Sequence, residues 1–323
     1  MLQDLRLTAA ADDDNRRLDR ILRKALPDLP LSHLHRLLRK GRVLVDGVPG
    51  KGADRVRVGS LIQAPLEEAS TPAAQKRRPE LRRGAPLTIL WEGAGLLVLN
   101  KPVGLAVHGS DRKSVASLET QVLAYLAPKL PPSLSFKPGP LHRLDTPTSG
   151  LIVFSTSLAG ARSFSALLRS RSIRKTYLAL LDGRLDRDEI WEDTLVRDKE
   201  KGKSFPADPG DDDAQEARTR VYPLAQSPGP APHTLARLEI DTGRTHQIRA
   251  QAAAHGHPLT GDRKYGGSEQ RDGFLLHAWT LELPEQTEQS LPGMPRRLVA
   301  PLPDNFRRRI RELFGEIAIG IEN

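Results

Sequence analysis

The segment Pro138 to Ser155, PGPLHRLDTPTSGLIVFS, restricts this chain more than any other. A Pro/Gly-rich approach leads into His142, Arg143, Leu144 and Asp145, a Thr-Pro-Thr-Ser-Gly turn follows, and the apolar run Leu151 to Phe154 closes it. Proline removes a backbone donor and fixes its own φ, so approach and turn read as loop. A short apolar run bounded by turn residues reads as a buried strand. Asp145 therefore stands on a tight loop held by a rigid strand, the placement in which side-chain chemistry tends to be carried. Taken by itself, Asp before Thr-Pro is also ordinary turn chemistry.

Upstream, residues 1–15 carry the acidic triplet Asp12 to Asp14 and read as a strand or lead-in. Leu18, Ile21, Leu22, Ala25 and Leu26 then fall at helical spacing, and Leu26-Pro27 ends that helix. Ser32 is placed to cap a second helix with Leu34, Leu37 and Leu38 on its apolar face, which Gly41 stops. Val43 to Val48 around Asp46-Gly47 reads as a hairpin, and Val56 to Ile62 as a further strand. Residues 16–42 hold nine Lys/Arg against two Asp/Glu, a surplus of seven in a chain whose net charge is +9. That concentration favours a polyanionic partner docking there, with Arg36, Arg39, Lys40 and Arg42 as the candidate contacts; a merely solvated helix face is the alternative. Residues 66–85 lack periodicity and read as a linker.

The remainder alternates strands and helices. Leu87 to Leu90 and Leu96 to Leu99 suggest a hairpin around Glu92-Gly93, and Ser117 to Tyr125 a helix. Leu158 to Leu168 has helical spacing, Ile173 to Leu181 reads as a strand, and 199–216 as a polar, mobile surface loop. Gly202-Lys203-Ser204 is no Walker motif, because Arg197 occupies the position that needs the first glycine. Ala217 to Leu224 and Thr234 to Ile240 read as strands, Ala250 to Ala254 as a short helix, and Phe306 to Phe314 as a basic closing helix.

HRLDTPTSGLIVF resembles the HRLD-x-x-TSGL signature of the RluA-type pseudouridine synthases, which isomerise uridines in ribosomal and transfer RNA. NKPVGLAVH at 100–108, RKTYLALLDG at 174–183, GRTHQIR at 243–249 and FLLHA at 274–278 match further motifs of that family. HRLLRKGRVLVDG at 35–47 is similar to the S4-type RNA-binding domain. The combination is most like the RluC-like branch acting on large-subunit ribosomal RNA. The chain departs from the family at Gln251, where a histidine is more usual.

The resemblance implies an α+β fold: a small α/β S4-type domain at 16–65, the linker at 66–85, and a catalytic domain at 86–316 on a mixed, largely antiparallel sheet. It implies an RNA pseudouridine synthase, an intramolecular isomerase acting on 23S ribosomal RNA through one aspartate, Asp145. A carboxylate in a closed, dehydrated pocket keeps its charge only beside a cation. By resemblance that cation is Arg249, with Arg244 as second choice. Tyr177 is expected to offer its ring to a uracil flipped from its stack, its hydroxyl aiding removal of the C5 proton. Arg143 is expected to enter the space the base vacates, and His142, Arg244 and Lys101 to contact RNA around it. A non-catalytic RNA-binding or ribosome-assembly factor, a synthase acting on tRNA, and a nucleoside hydrolase are the competing readings.

No cofactor is expected, since substrate and product are isomers. His142, His246, His255 and His257 lack cysteine or carboxylate partners at zinc spacing, so no metal site is expected either. The chain has no cysteine, which excludes disulfides and thiolate nucleophiles. No apolar run nears the roughly 18 residues a spanning helix needs, so no membrane partner is expected. A cytoplasmic monomer is the default expectation.

Overall fold

The computed structural model describes residues 4–65, 86–109, 117–130, 133–198, 200–207, 210–211, 213–270 and 273–316. The linker expected at 66–85 lies outside the described residues.

The first elements are β1 (Asp4–Thr8), β2 (Arg16–Arg17), α1 (Leu18–Ala25), α2 (Leu31–Arg39), β3 (Leu44–Val45), β4 (Val48–Pro49), β5 (Arg55–Val56) and β6 (Leu61–Pro65). Strands β1, β6, β3 and β4 form an antiparallel sheet in that order. The apolar stripes of both helices, Leu18, Ile21, Leu22, Leu34 and Leu38, bury against Leu5, Leu7, Val43, Val56 and Ile62. Each such side chain removed from water contributes roughly 1.5–3 kcal/mol, which is what holds short elements together here. This unit begins before residue 16, because β1 supplies an edge of its sheet. Two local expectations change. Pro30 stands at the α2 N-cap and Ser32 lies one residue inside, and the strand expected from 56 to 62 breaks into β5 and β6 around Gly59, whose φ is +83°.

The acidic lead-in has a definite seat. Asp13 is fully buried and accepts hydrogen bonds from the Leu134 amide at 3.1 Å and the Ser135 hydroxyl at 2.5 Å. Arg16 Nη1 donates to the same hydroxyl at 2.9 Å, and Asp12 accepts from the Leu158 amide at 2.7 Å. Leu134 packs into the first unit's core.

There follow β7 (Ile89–Gly93), β8 (Leu96–Lys101), α3 (Leu118–Leu126), β9 (Gly139–Pro140), β10 (Ser149–Ser155), α4 (Leu158–Arg169), β11 (Arg174–Asp182), β12 (Glu189–Asp198) and β13 (Lys203–Pro206). The last elements are β14 (Gln215–Gln226), β15 (His233–Ile240), α5 (Gln247–Ala254), β16 (Leu276–Glu282), α6 (Thr287–Ser290), β17 (Arg297–Val299) and α7 (Asp304–Phe314). They build one 11-stranded sheet with the path β13-β12-β14-β15-β11-β16-β10-β8-β7; β17 pairs with β16 and β9 with β10. Every pairing is antiparallel except β10 with β16, so the sheet is mixed and the fold α+β. The β7–β8 hairpin turns at Ala94-Gly95, later than Glu92-Gly93. Part of the expected surface loop at 199–216 is ordered as β13, which extends the sheet edge.

The parallel junction explains the glycine of the Thr-Ser-Gly turn. Gly150 has φ +106°, and a Cβ there would lie 2.2 Å from the Ala278 carbonyl oxygen. Ser149 Oγ lies 2.8 Å from His277 Nδ1, and His277 Nε2 lies 3.1 Å from the Ala300 carbonyl. Burial holds that imidazole down to about 4, so it is neutral and structural. The loop bearing Asp145 thus enters the sheet at the seam between its two antiparallel halves.

Candidate active site

Asp145 precedes β10 in a turn closed by a 3.0 Å hydrogen bond from the Thr148 amide to its carbonyl. Its side chain is 16% exposed, at the wall of a cavity of about 300 Å³ lined in part by Val107, Arg143, His246, Arg249 and Lys264. A second, smaller cavity shares Arg143, Asp145, His246 and Arg249 and adds Tyr177, Ile240, Arg244 and Leu276. Asp145 is the carboxylate common to both.

Arg249 comes from the first turns of α5. Gln247 prepares that helix start, accepting from the Arg244 amide at 3.0 Å and the Thr242 hydroxyl at 2.7 Å while donating to the Arg218 carbonyl at 3.1 Å. The Arg249 guanidinium bonds two carboxylates: Nε and Nη2 to Asp262 at 2.6 and 2.9 Å, and Nη1 to Asp145 Oδ2 at 3.1 Å. It also stacks on Phe274 and Tyr265, with its central carbon 4.5 and 4.8 Å from the ring centres. Burial works against its charge, but Asp262 and Asp145 outweigh that and raise its pKa above the ordinary arginine value. A cation so fixed fits the expected partner of the carboxylate.

His246 caps α5 in the left-handed region at φ +53°. Its Nδ1 lies 3.0 Å from the Tyr265 hydroxyl and its Nε2 3.8 Å from Asp145 Oδ2. Burial, joined by Arg249 and Lys264, lowers its pKa against the opposing charges of Asp145 and Asp262. Among the described residues the hydrogen bond to the Asp145 carboxylate comes from Arg249 and falls on Oδ2.

Tyr177 projects from β11 opposite Leu238 and Ala278, next to a bulge between Thr176 and Tyr177. It is 8% exposed, and burial together with the Asp145 charge pushes its phenol well above the ordinary value. A phenol so held keeps its proton, which suits an apolar platform or an O–H donor better than a base. Arg143 is exposed on the cavity rim. Arg244 is half-buried, with Nε donating to the Glu216 carbonyl at 2.9 Å.

Two expected RNA contacts are instead engaged by the protein itself. Lys101 is fully buried, and its ammonium donates to the carbonyls of Pro102, Leu105 and Thr146 at 2.9, 2.8 and 3.0 Å. Its three protons are used on the loop that carries Asp145 and on its own, so it positions that loop and does not reach RNA. His142 accepts the Val153 amide through Nε2 at 3.1 Å; burial, then Lys175, hold it down to about 3, so it is neutral and pins the loop to β10.

His255 stacks on Trp191 with ring centres 5.2 Å apart, and its Nε2 lies 3.1 Å from Asp193 Oδ2; His257 Nδ1 lies 3.4 Å from the Asp182 carbonyl. The four histidines do not converge, and among the described residues no group of three His, Cys, Asp or Glu is arranged to hold a metal. Gln251 binds Thr219, Trp191, Asp193 and Ala217 within α5's packing, which gives the departure at that position a structural role. Arg36, Arg39, Lys40 and Arg42 are exposed on and after α2. Sequence reasoning gave no role to Asp262, Lys264 or Tyr265. The signal available was chemical: a buried arginine asks for more than one anion.

The family described as RNA pseudouridylate synthase matches residues 95–254. The chain is 30% identical to ribosomal large subunit pseudouridine synthase C of Escherichia coli O157:H7, covering 94% of this chain and 94% of that protein. It is 32% identical to the Salmonella typhimurium protein of the same name, over 94% of this chain and 95% of that one. Ribosomal large subunit pseudouridine synthase D of Xanthomonas campestris pv. campestris is 30% identical, over 92% of this chain and 89% of that protein. Among solved structures, human RNA pseudouridylate synthase domain containing 4 is similar with a TM-score of 0.54 at 26% identity, over 70% of this chain and 92% of that chain.

Proposed function

The chain belongs to the RNA pseudouridylate synthase family and is an RNA pseudouridine synthase, and from that premise we propose that it isomerises uridines of large-subunit ribosomal RNA using Asp145. The observation that carries this is the Asp145–Arg249 pair at 3.1 Å in the wall of a cavity. The relatives named for large-subunit ribosomal RNA favour that substrate over tRNA.

The reaction breaks N1–C1′, turns the uracil, and joins C5 to C1′. The proton leaving C5 is balanced by one gained at N1, so mass is unchanged and neither oxidant nor water is consumed. Asp145 meets this demand either as nucleophile at ribose or as base beside it, its charge held by Arg249, which Asp262 orients in turn. Tyr177 presents its ring to the extruded uracil, its phenol held above the ordinary value by burial and the Asp145 charge. Arg143 on the rim is suited to fill the vacated stack, and Arg244 to hold the RNA backbone beside it. A non-catalytic binding factor has no need of a desolvated carboxylate and guanidinium facing an open cavity.

Residues 86–316 are assigned the chemistry and the N-terminal unit, with Arg36, Arg39, Lys40 and Arg42, the docking of RNA. Among the described residues no helix is long and apolar enough to cross a membrane. The test is incubation of the purified protein with unmodified large-subunit ribosomal RNA transcripts and, separately, tRNA transcripts, followed by site mapping of pseudouridine and nucleoside mass measurement. Pseudouridine at unchanged mass in the ribosomal transcript is the expected result; free uracil with abasic sites would identify a hydrolase.

A further inference from the structure

Ser204 lies in the part of 199–216 that sequence marks as surface loop, yet its backbone amide donates to the Tyr265 hydroxyl at 2.8 Å. Its side chain donates to the Thr245 carbonyl at 2.8 Å, tying β13 to the turn that presents His246. Tyr265 is 6% exposed, crosses the His246 ring edge-on at 82°, and places its hydroxyl 3.0 Å from His246 Nδ1. The three groups form a line that ends at Asp145.

We propose that Ser204 and Tyr265 fix His246 as the tautomer carrying its proton on Nε2, making His246 a positioning residue that holds Asp145 Oδ2 and leaves Oδ1 to act on the ribose. The proposal rests on the assignment of Asp145 as the acting carboxylate.

Donors and acceptors along this line select the tautomer. The Ser204 amide can only donate, so it occupies a lone pair of the Tyr265 oxygen. The phenol proton then has His246 Nδ1 as its neighbour, and an imidazole that accepts at Nδ1 while neutral carries its proton at Nε2. Nε2 is the nitrogen that faces Asp145 Oδ2. The opposite tautomer would oppose a nitrogen lone pair to the carboxylate and leave the phenol proton without its acceptor. Arg249 Nη1 already bonds Oδ2, so a second donor there orients the carboxylate about one oxygen. The present 3.8 Å lies beyond hydrogen-bond range, and catalytic contacts commonly tighten when substrate enters. The charges around the ring are Asp145 on its loop, Arg249 on α5, and Asp262 and Lys264 on the segment before Tyr265. Burial, with the two cations, favours the neutral ring against the two carboxylates that pull the other way.

The experiment uses the full-length protein with ¹⁵N-labelled histidine rings, His246 being assigned by the resonance that disappears in His246→Asn. Asparagine tolerates the left-handed backbone, so this variant removes the ring without forcing the turn. In the wild type, Nδ1 should appear unprotonated and Nε2 protonated near neutral pH. Tyr265→Phe should mix the tautomers and lower kcat only by the fraction of rings whose Nε2 has lost its proton. His246→Asn, which removes the donor facing the Asp145 charge, should lower kcat roughly 10- to 100-fold, each variant showing a much smaller change in KM for RNA. A protonated Nδ1 in the wild type overturns the proposal, as does an unmixed tautomer in folded Tyr265→Phe. Should Tyr265→Phe not fold, His246→Asn supplies the kinetic arm, and full kcat there overturns it as well. Asp145→Asn with retained turnover would strike the underlying assignment while leaving the tautomer measurement standing, so the two failures are separable.

Discussion

The ammonium of Lys101 donates a 3.0 Å hydrogen bond to the carbonyl of Thr146, the residue that follows Asp145. The same group donates to Pro102 and Leu105, and the Gly104 amide donates back to the Thr146 carbonyl at 3.0 Å. The two loops are therefore cross-braced, and a charge that sequence assigns to RNA is spent on holding the Asp145 loop still.

Lys101→Met should thus act through stability and pH. Losing the ammonium leaves buried carbonyls short of a donor, at a cost on the order of 1–3 kcal/mol, read as a lower Tm. Burial depresses the folded pKa of Lys101 from 10.5 to about 8, with Asp145 opposing the shift. Between these values the unfolded chain binds the extra proton, so the wild type gains stability as pH rises from about 8 toward 10.5 and loses it as pH falls through about 8. The methionine variant lacks that gain, and the difference between the two unfolding free energies should widen in favour of the wild type across the window. Parallel curves would show that the amine does not titrate there.

Asp145→Asn should abolish isomerisation while leaving RNA affinity nearly unchanged. On the proposed assignment the carboxylate acts on ribose, whereas most affinity for RNA comes from phosphate contacts. The amide keeps the side chain's shape but withdraws the charge that Arg249 Nη1 faces. Turnover by variant protein free of wild-type enzyme would remove Asp145 from the mechanism.

Much of this site is legible in the chain, and the reasons differ by residue. Gly150 could be read because a backbone with φ +106° against Ala278 admits little else. Arg249 could be read because its motif recurs in the family and an ionised carboxylate needs a cation. Lys101 was misplaced because its acceptors are three main-chain carbonyls, which leave no mark in the residue pattern. Strand β13 was hidden by its polar composition: an edge strand held through backbone pairing needs few apolar residues, and of its four only Ser204 is buried. Asp262 went unassigned because the second anion on Arg249 comes from 13 residues further on, a proximity created by the fold.

Activity should survive exhaustive chelation once RNA folding is controlled. The isomerisation has no hydrolytic or redox step, and the four histidines are each engaged with separate neighbours. Loss on EDTA treatment with recovery specific to zinc would point to a metal bound by groups not recognised in this geometry. Recovery by magnesium alone would locate the effect in the RNA.

Replacing Arg36, Arg39 and Lys40 together by alanine should weaken docking without touching the chemistry. All three are exposed at the C-terminal end of α2, so their removal costs the fold little. The unit that carries them is seated on the catalytic part through Asp13 and Arg16 at Leu134 and Ser135, which keeps the charged helix face at a set position relative to the cleft. Phosphates bound there would supply affinity shared by ground and transition states, so KM should rise with a smaller change in kcat. Each phosphate no longer neutralised should also take about 0.9 from the slope of log K against log salt on a duplex, so three would flatten it by roughly 3. An unchanged slope with unchanged KM would mean these side chains face solvent when RNA is bound. A fall in kcat at constant slope would mean instead that the helix pair shapes the cleft through the Asp13 seat.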